Sequence, residues 1–202
     1  MITEPYLLQL PHWPTAGRHI LAHHDDASLI VYQAYRPAIA DFAVKHQRFG
    51  GEFSYNRMSW IKPNFLWMMF RAGWATKEGQ ERILAVRLQR AFFEEVLRDA
   101  VPSSFDPARH ASHDDWKTAV EHSDVRLQWD PDHDPLGRPL ERRAVQLGLR
   151  GRALRRYGEE ALLGIDDITP FVIAQRAHLR DGFAGLVMPR ERVYPMPAGA
   201  AG

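Results

Sequence analysis

Residues 27–46 read ASLIVYQAYRPAIADFAVKH, and this segment carries the clearest secondary-structure pattern of the chain. The first part, residues 27–35, is a run of β-branched and aromatic residues, which predicts a strand. Pro37 stands at a favourable first helical position, and apolar residues then recur at helical spacing. Gly50 ends this predicted helix. The segment therefore predicts a strand, a tight turn and a helix in that order.

Strands and helices mix without strict alternation along the remaining chain. This favours a single α+β domain whose sheet is mixed or mostly antiparallel and is flanked by helices. The other predicted strands are residues 82–88, 125–129 and 143–149, and residues 53–61 are either a short strand or an ordered loop. The predicted helices are residues 65–72, 90–100, 112–120, 151–163 and 171–179, with Ser112 and Thr169 as N-caps. We expect the domain to span residues 1–197 and residues 198–202 to form a flexible tail.

Composition excludes several classes of function. The 202 residues carry 26 Lys plus Arg, 25 Asp plus Glu and no Cys. Without cysteine the chain has no disulfide, no thiol nucleophile and no Cys-ligated metal. A formal charge of +1 excludes binding of nucleic acid by an overall polycationic surface. Since no targeting signal and no membrane-length apolar run is visible, we expect a cytoplasmic protein without a membrane partner.

The segment RMSWIKPN, residues 57–64, is the strongest candidate for a site. It places the Arg57 guanidinium, the Ser59 hydroxyl, the Trp60 indole and the Lys62 ammonium within six residues. Arg and Lys bind phosphate and Trp offers a stacking face, so this combination suits a nucleotide. The alternative is a Trp60 in the core with two solvated cations beside it.

A second candidate lies at the carboxyl end of the first strand, where ligand crevices commonly form. The residues concerned are Tyr32, Gln33, Tyr35 and Arg36. The alternative is that Tyr32 and Ala34 face the core while Gln33 and Tyr35 face water.

A basic block follows later in the chain and comprises Arg142, Arg143, Arg150, Arg152, Arg155 and Arg156. The last three share one helix face through their spacing of three and four residues. Such a patch can hold a nucleic-acid backbone although the total charge is near zero. The alternative is a solvated face that is paired with neighbouring acidic residues.

No metal site is predicted. The acidic stretch DPDHD, residues 130–134, is better explained as a hairpin connection than as a calcium loop, because Pro135 stands where the sharp turn of such a loop requires Gly. The chain also has no P-loop, no GxGxxG, no HExxH and no Ser–His–Asp arrangement. Those enzyme classes therefore lack support.

Four segments resemble the bacterial family known as domain of unknown function 4291. They are VYQAYRPAIADFAV, RMSWIKPNFLWMMFRAGWATKEGQERILAVRL, VRLQWDPDHD and RRAVQLGLRGRALRRY. The likeness covers roughly residues 18–197, and the second segment is its most specific part. The family has no established activity to carry over to this chain.

The order of elements is more distantly similar to the ADP-ribosyltransferase superfamily. Its members carry a His or Arg on the first strand, an aromatic residue or Ser on a later element, and a catalytic Glu on a further strand. In this chain the first position falls on Gln33, with Arg36 near it, and the second near Tyr55 or Ser59. The third falls on Gln146.

This resemblance implies NAD as a cofactor. Arg57 and Lys62 would hold the pyrophosphate, Trp60 or Tyr32 would stack on a ring, and Gln146 would contact the nicotinamide ribose. Gln146 lacks the charge of a Glu, which stabilises a developing oxocarbenium cation.

Two explanations of this departure stay open. Either another acid such as Asp130 or Glu81 supplies the charge, or the protein binds a nucleotide without transferring it. We expect an NAD-dependent ADP-ribosyltransferase-like enzyme acting on nucleic acid or protein, with Arg57 and Gln146 in the catalytic site. The alternatives are a nucleic-acid-binding or RNA-processing module and a purely structural or interaction domain.

Overall fold

The apolar run at the start of the fold forms the edge strand of a three-stranded antiparallel sheet. The computed structural model describes residues 1–200. Strand β4 (Ser28–Tyr35) pairs with β6 (Arg82–Gln89) along its whole length, from Ser28 opposite Gln89 to Tyr35 opposite Arg82. Strand β10 (Leu162–Asp167) pairs with the other edge of β6. The predicted strands at residues 27–35 and 82–88 are confirmed.

Strand β4 is buried on both faces. Leu29 and Val31 belong to one apolar cluster, whereas Ile30 and Tyr32 belong to a second cluster on the opposite side. A strand covered on both faces reads as a continuous apolar run instead of an alternating one. The composition of residues 27–35 is explained by this double burial.

A second sheet is built on a long antiparallel hairpin. Strands β8 (Val125–His133) and β9 (Pro139–Leu149) form it, which confirms the predicted hairpin. Its connection is residues 134–138 and not residues 130–134, because residues 130–133 continue β8 and pair with β9. Strand β5 (Ser59–Ile61) pairs antiparallel with the end of β9. Two short strands, β2 (Gly17–Arg18) and β7 (Val101–Pro102), add parallel pairings to β9 and β8. The mixed sheets and flanking helices confirm the α+β class.

The remaining strands are β1 (Thr3–Pro5), β3 (Leu21–Ala22), β11 (Val187–Pro189) and β12 (Arg192–Val193). The helices are α1 (Tyr6–Gln9), α2 (Pro37–His46), α3 (Phe65–Ala72), α4 (Arg90–Asp99), α5 (His113–His122), α6 (Gly151–Glu159) and α7 (Thr169–Arg176). Short 3₁₀ turns follow α1 and α7 at Leu10–His12 and Ala177–Arg180. In residues 1–200 no helix is long and apolar enough to cross a bilayer.

Two local predictions were wrong. The helix expected over residues 151–163 ends at Glu159, because residues 162–167 leave it to pair with β6. Thr169 is the first residue of α7 and does not cap it; its Oγ1 accepts the Ile83 N–H at 2.8 Å instead. In both cases a partner distant in sequence overrides the local preference. Of the predicted tail, residues 201 and 202 lie outside the described part of the chain.

Candidate functional site

A cleft of about 220 Å³ opens where the end of β4, strand β5 and helix α3 meet. Its wall includes most of the residues predicted for a nucleotide site, together with one arginine that was not predicted. We name it the cation cleft and define it by Gln33, Tyr35, Arg57, Ser59, Trp60, Lys62 and Arg71. The two candidate segments of the sequence therefore converge at one place.

Lys62 stands at the junction of the two sheets. Ile61, the residue before it, pairs with Leu147 of β9, and the Lys62 carbonyl accepts the Tyr32 N–H at 2.7 Å. Asn64 then caps α3 by accepting the Trp67 N–H at 2.6 Å. A strand pairing, an inter-sheet hydrogen bond and a helix cap thus fix the backbone around Lys62.

The Lys62 side chain is largely buried in the wall of the cleft and has no hydrogen-bond partner within residues 1–200. The residue is 6% exposed, and no hydrogen bond or ion pair joins its Nζ to any other residue of the described range 1–200. Burial, with a smaller contribution from the Arg71 cation, lowers the pKa of Lys62 to about 8, and the Asp130 carboxylate partly opposes this shift. A lysine in this state holds a substantial neutral fraction near physiological pH.

Two more cations line the same cleft. Arg57 and Arg71 are exposed, and within residues 1–200 neither forms an ion pair with a carboxylate. Arg36 differs, because it pairs with Glu52 at 2.6 Å and lines only the adjoining groove of about 660 Å³. That groove shares Arg57 with the cation cleft. The cleft is therefore a concentration of positive charge that the protein does not neutralise.

Gln33 holds the wall of the cleft together. Its side-chain Nε2 donates to Ser59 Oγ at 2.9 Å and to the Trp60 carbonyl at 3.1 Å, while its Oε1 accepts the Tyr157 hydroxyl at 2.6 Å. The Tyr35 hydroxyl lies 3.1 Å from Ser59 Oγ. These hydrogen bonds hold β5 against β4. Both the oxygen and the nitrogen of the Gln33 amide are used in them, so Gln33 could bind a ligand only after breaking one of these bonds.

Trp60 is half-buried and packs across strand β9. Gly148 makes this approach possible, since a Cβ there would lie 2.5 Å from Met58 Sδ and 3.1 Å from Trp60 Cε2. Trp60 therefore has features of both alternatives. One side of the indole covers the sheet, as a core residue would, and the residue also lines the cleft, as a ligand-binding residue would.

The predicted catalytic residue Gln146 does not line the cation cleft. Its Nε2 donates to Asp130 Oδ2 at 2.7 Å, and Gln128 donates to Asp130 Oδ1 at 2.8 Å. Asp130 is the acidic group whose charge acts on Lys62. Gln146 on β9 therefore holds the carboxylate of Asp130 on the neighbouring strand β8.

Tyr32 is fully buried, so the stacking on a cofactor ring that the resemblance implied does not fit its position. Its ring packs edge-on against Phe65, with ring centres 5.4 Å apart. The strand alternation that brings Gln33 to the cleft turns Tyr32 into the core.

The basic block does not form one surface. Arg142 is buried and pairs with Asp132 at 2.6 Å, which removes it from any external partner. Arg156 is engaged with Glu95 through both terminal nitrogens, and Arg150 donates to the Ser123 carbonyl at 3.1 Å. Arg155 lies over the Tyr55 ring, 5.4 Å from its centre. The exposed arginines of the block that form no ion pair within residues 1–200 are Arg143, Arg152 and Arg155, the last of which packs on Tyr55.

Arg71 lines the cleft but was not among the predicted site residues. Arg71 is the one charged residue in the apolar helix of residues 65–72, and that isolation is the signal that would have drawn attention to it. Its position beside Lys62 depends on where α3 packs, which the local sequence does not encode.

Comparison with known proteins agrees with one of the two resemblances seen in the sequence, that to domain of unknown function 4291. A family model described as Domain of unknown function (DUF4291) matches residues 19–194. A comparison with curated proteins found no match. Since the family model covers most of the chain, including every residue of the cation cleft, the chain belongs to the DUF4291 family.

Proposed function

We propose that the cation cleft binds the phosphate of a nucleotide. The observation that carries this proposal is that Arg57, Lys62 and Arg71 line one cleft and form no ion pair within residues 1–200. Clustered cations of this kind attract an anion, and the guanidinium forks match phosphate oxygens in pairs. The half-buried Trp60 supplies a face for a base or nicotinamide ring.

The more specific form of the proposal is that the nucleotide is NAD. The cation cleft, at about 220 Å³, is smaller than the roughly 300–1,000 Å³ of typical small-molecule sites. The adjoining groove of about 660 Å³ shares Tyr35 and Arg57 with it and extends the available volume. A pyrophosphate near Arg57 would allow the two halves of a dinucleotide to occupy the two spaces.

The reaction that we propose is ADP-ribosyl transfer. It breaks the bond between nicotinamide and the ribose, so that nicotinamide leaves and positive charge develops on the ribose carbon. A nucleophilic oxygen or nitrogen of the acceptor then bonds to that carbon and releases its proton. A fixed carboxylate stabilises such charge. We place Asp130 in that role, because two glutamine amides hold both of its oxygens and its charge already acts on the neighbouring Lys62.

Calorimetric titration with AMP, ADP, NAD and adenosine tests the binding proposal. We expect the three phosphate-bearing ligands to bind and adenosine, which lacks a phosphate, to bind far more weakly. Arg57→Gln and Arg71→Gln should each weaken binding roughly tenfold, as the loss of a charge-assisted hydrogen bond predicts. Arg143→Gln is the matched control on an exposed arginine outside the cleft. Equal binding of adenosine and AMP, or no binding of either, would refute the proposal.

Labelled NAD tests the transfer reaction. We expect label to appear on protein, DNA or RNA, and we expect Asp130→Asn to abolish labelling while NAD binding persists. Absence of label on all three acceptors refutes the transferase and leaves nucleotide binding to stand on its own titration.

The nucleic-acid alternative gives a different result in the same assays. Arg143 and Arg152 are exposed, so RNA or DNA binding through them would fall steeply with salt and would weaken when both are changed to Gln. Nucleotide binding in the cation cleft would be insensitive to that double change.

A further inference from the structure

Lys62 differs from the other lysines of the chain. Lys45, Lys77 and Lys117 are all exposed, whereas Lys62 is 6% exposed and lines the cation cleft. Its amine forms no hydrogen bond and no ion pair within residues 1–200, so nothing in that range competes for its lone pair. A buried lysine with a purely structural role would form an ion pair with a carboxylate or a hydrogen bond to a carbonyl group of the protein.

The surroundings of Lys62 favour the neutral, nucleophilic amine. Burial removes water from the ammonium, and the Arg71 cation in the same cleft repels it. These are the two physical means by which proteins activate lysine toward carbonyl compounds. Arg57 and Arg71 at the same time offer binding groups for an anionic substituent of the compound that carries the carbonyl.

We propose that Lys62 forms an imine with a small phosphorylated aldehyde or ketone bound in the cation cleft. The inference rests on the phosphate-binding part of the proposed function and is independent of NAD. The cleft volume of about 220 Å³ suits a ligand of a few carbons and one phosphate. Phosphate on Arg57 and Arg71 would leave the carbonyl carbon to face the Lys62 amine.

The chemical step needs no oxidant and no further reactant. The nitrogen lone pair attacks the carbonyl carbon, and the carbonyl oxygen takes a proton to give a carbinolamine. That oxygen then takes a second proton and leaves as water as its bond to carbon breaks, while the nitrogen, which has given up both of its amine protons, forms the carbon–nitrogen double bond of the imine. Hydrolysis reverses the sequence and restores Lys62.

Reductive trapping with two matched aldehydes tests this inference. Pyridoxal 5′-phosphate and pyridoxal differ in the phosphate, and cyanoborohydride fixes the imine formed by either one for peptide mapping. At about pH 7.5 an amine of pKa about 8 has roughly two hundred times the neutral fraction of an ordinary lysine. We expect Lys62 to be labelled before Lys45, Lys77 and Lys117, and roughly tenfold faster with the phosphorylated aldehyde.

Variants separate the amine from the phosphate site. Lys62→Met should remove the trapped product, whereas Lys45→Met should leave it unchanged. Arg57→Gln should slow labelling by pyridoxal 5′-phosphate and leave labelling by pyridoxal unaffected, because Arg57 contributes to anion binding and not to the pKa of Lys62.

Two results would overturn the inference: label on the exposed lysines without label on Lys62, or equal labelling by both aldehydes. If nucleotides bind in the cleft and Lys62 stays unlabelled, the imine chemistry fails alone. If no phosphate-bearing ligand binds at all, the proposed function and this inference fail together.

Discussion

Lys62 shows how a single residue can be unfavourable for folding and still define a site. Transfer of its ammonium into a buried position beside Arg71 lowers its pKa, and a lowered lysine pKa means that the folded state binds the proton less tightly than the unfolded state. The resulting cost at neutral pH is on the order of 3 kcal/mol, from about 1.4 kcal/mol for each pKa unit. Gly148 and Gln33, in contrast, favour the folded state. Gly148 allows close packing in the cleft wall, and the Gln33 side chain forms hydrogen bonds there.

The pH dependence of stability should reveal Lys62 directly. In the unfolded chain its amine titrates near 10.5 and in the folded protein near 8, so between these values the unfolded state binds more protons. Stability rises with pH wherever the unfolded state binds more protons. The destabilising effect of Lys62 is therefore relieved, and the free energy of unfolding increases, as the pH rises from about 8 to 10.5. We expect Lys62→Met to stabilise the protein at pH 7 by about 1–3 kcal/mol and to remove this rise. Denaturant titrations of both proteins at neutral and alkaline pH measure the effect; parallel pH curves would contradict it.

The Tyr157 hydroxyl is a second residue whose contribution can be isolated. It donates to Gln33 Oε1 at 2.6 Å in the buried interior. Tyr157→Phe leaves that oxygen without a donor, so we expect a loss of about 1–3 kcal/mol in the free energy of unfolding. Gln33→Leu in the Tyr157→Phe background is the companion variant: if the two changes are additive, no coupling joins these residues and the explanation is wrong.

At the scale of elements, helix α3 sets the geometry of the cleft. Asn64 caps its N-terminus, and the buried Glu191 accepts the Phe65 N–H at 2.7 Å from a distant part of the chain. At the other end Gly73 adopts a left-handed φ of 56°, which terminates the helix just after Arg71. The positions of Lys62, which precedes the helix, and of Arg71, which lies in its last turn, therefore depend on the two ends of this one short helix.

Removal of the cap should affect both stability and binding. Asn64→Ala deletes the acceptor for the Trp67 N–H and should cost about 1 kcal/mol, whereas Asn64→Ser retains a capping oxygen and should cost less. Since Lys62 lies two residues before the cap, we also expect weaker nucleotide binding by the alanine variant. Thermal unfolding and calorimetric titration test the two effects, and an alanine variant as stable as the serine variant would count against the role of the cap.

At the scale of the whole molecule, a buried ion pair joins the N-terminal segment to the hairpin. Arg142 on β9 contacts Asp132 on β8 at 2.6 Å, donates to the Pro14 carbonyl at 2.7 Å, and lies 5.4 Å from the centre of the Trp13 ring. One side chain thus connects segments that are more than a hundred residues apart. Its role is structural, although the local sequence places it in a basic block.

The adjacent arginines 142 and 143 provide a matched comparison. Arg142→Ala leaves the buried Asp132 carboxylate without its partner and should destabilise the protein by about 3–5 kcal/mol. Arg143→Ala removes an exposed side chain and should change stability by less than about 0.5 kcal/mol. Chemical denaturation of the two variants tests the difference, and similar stability of both would show that the buried pair contributes little.

Local sequence determined the elements that depend on residue composition and spacing. The strand of residues 27–35 and the start of the first long helix at Pro37 appear where the sequence predicts them. The hairpin is also present, with its connection a few residues later than predicted, at residues 134–138. Most of the cation cleft was likewise predictable, because Arg57, Ser59, Trp60 and Lys62 are close in sequence and a cluster of cations with an aromatic ring indicates a ligand.

Only the tertiary structure decided which groups meet across the chain. It turned residues 162–167 into a strand by pairing them with β6, and it brought Arg71 into the cleft and Tyr32 into the core. It also placed the Asp130 carboxylate of β8 within hydrogen-bond distance of the Gln146 amide of β9. Periodicity and composition report the environment of each residue, whereas a partner distant in sequence is selected by the packing of whole elements.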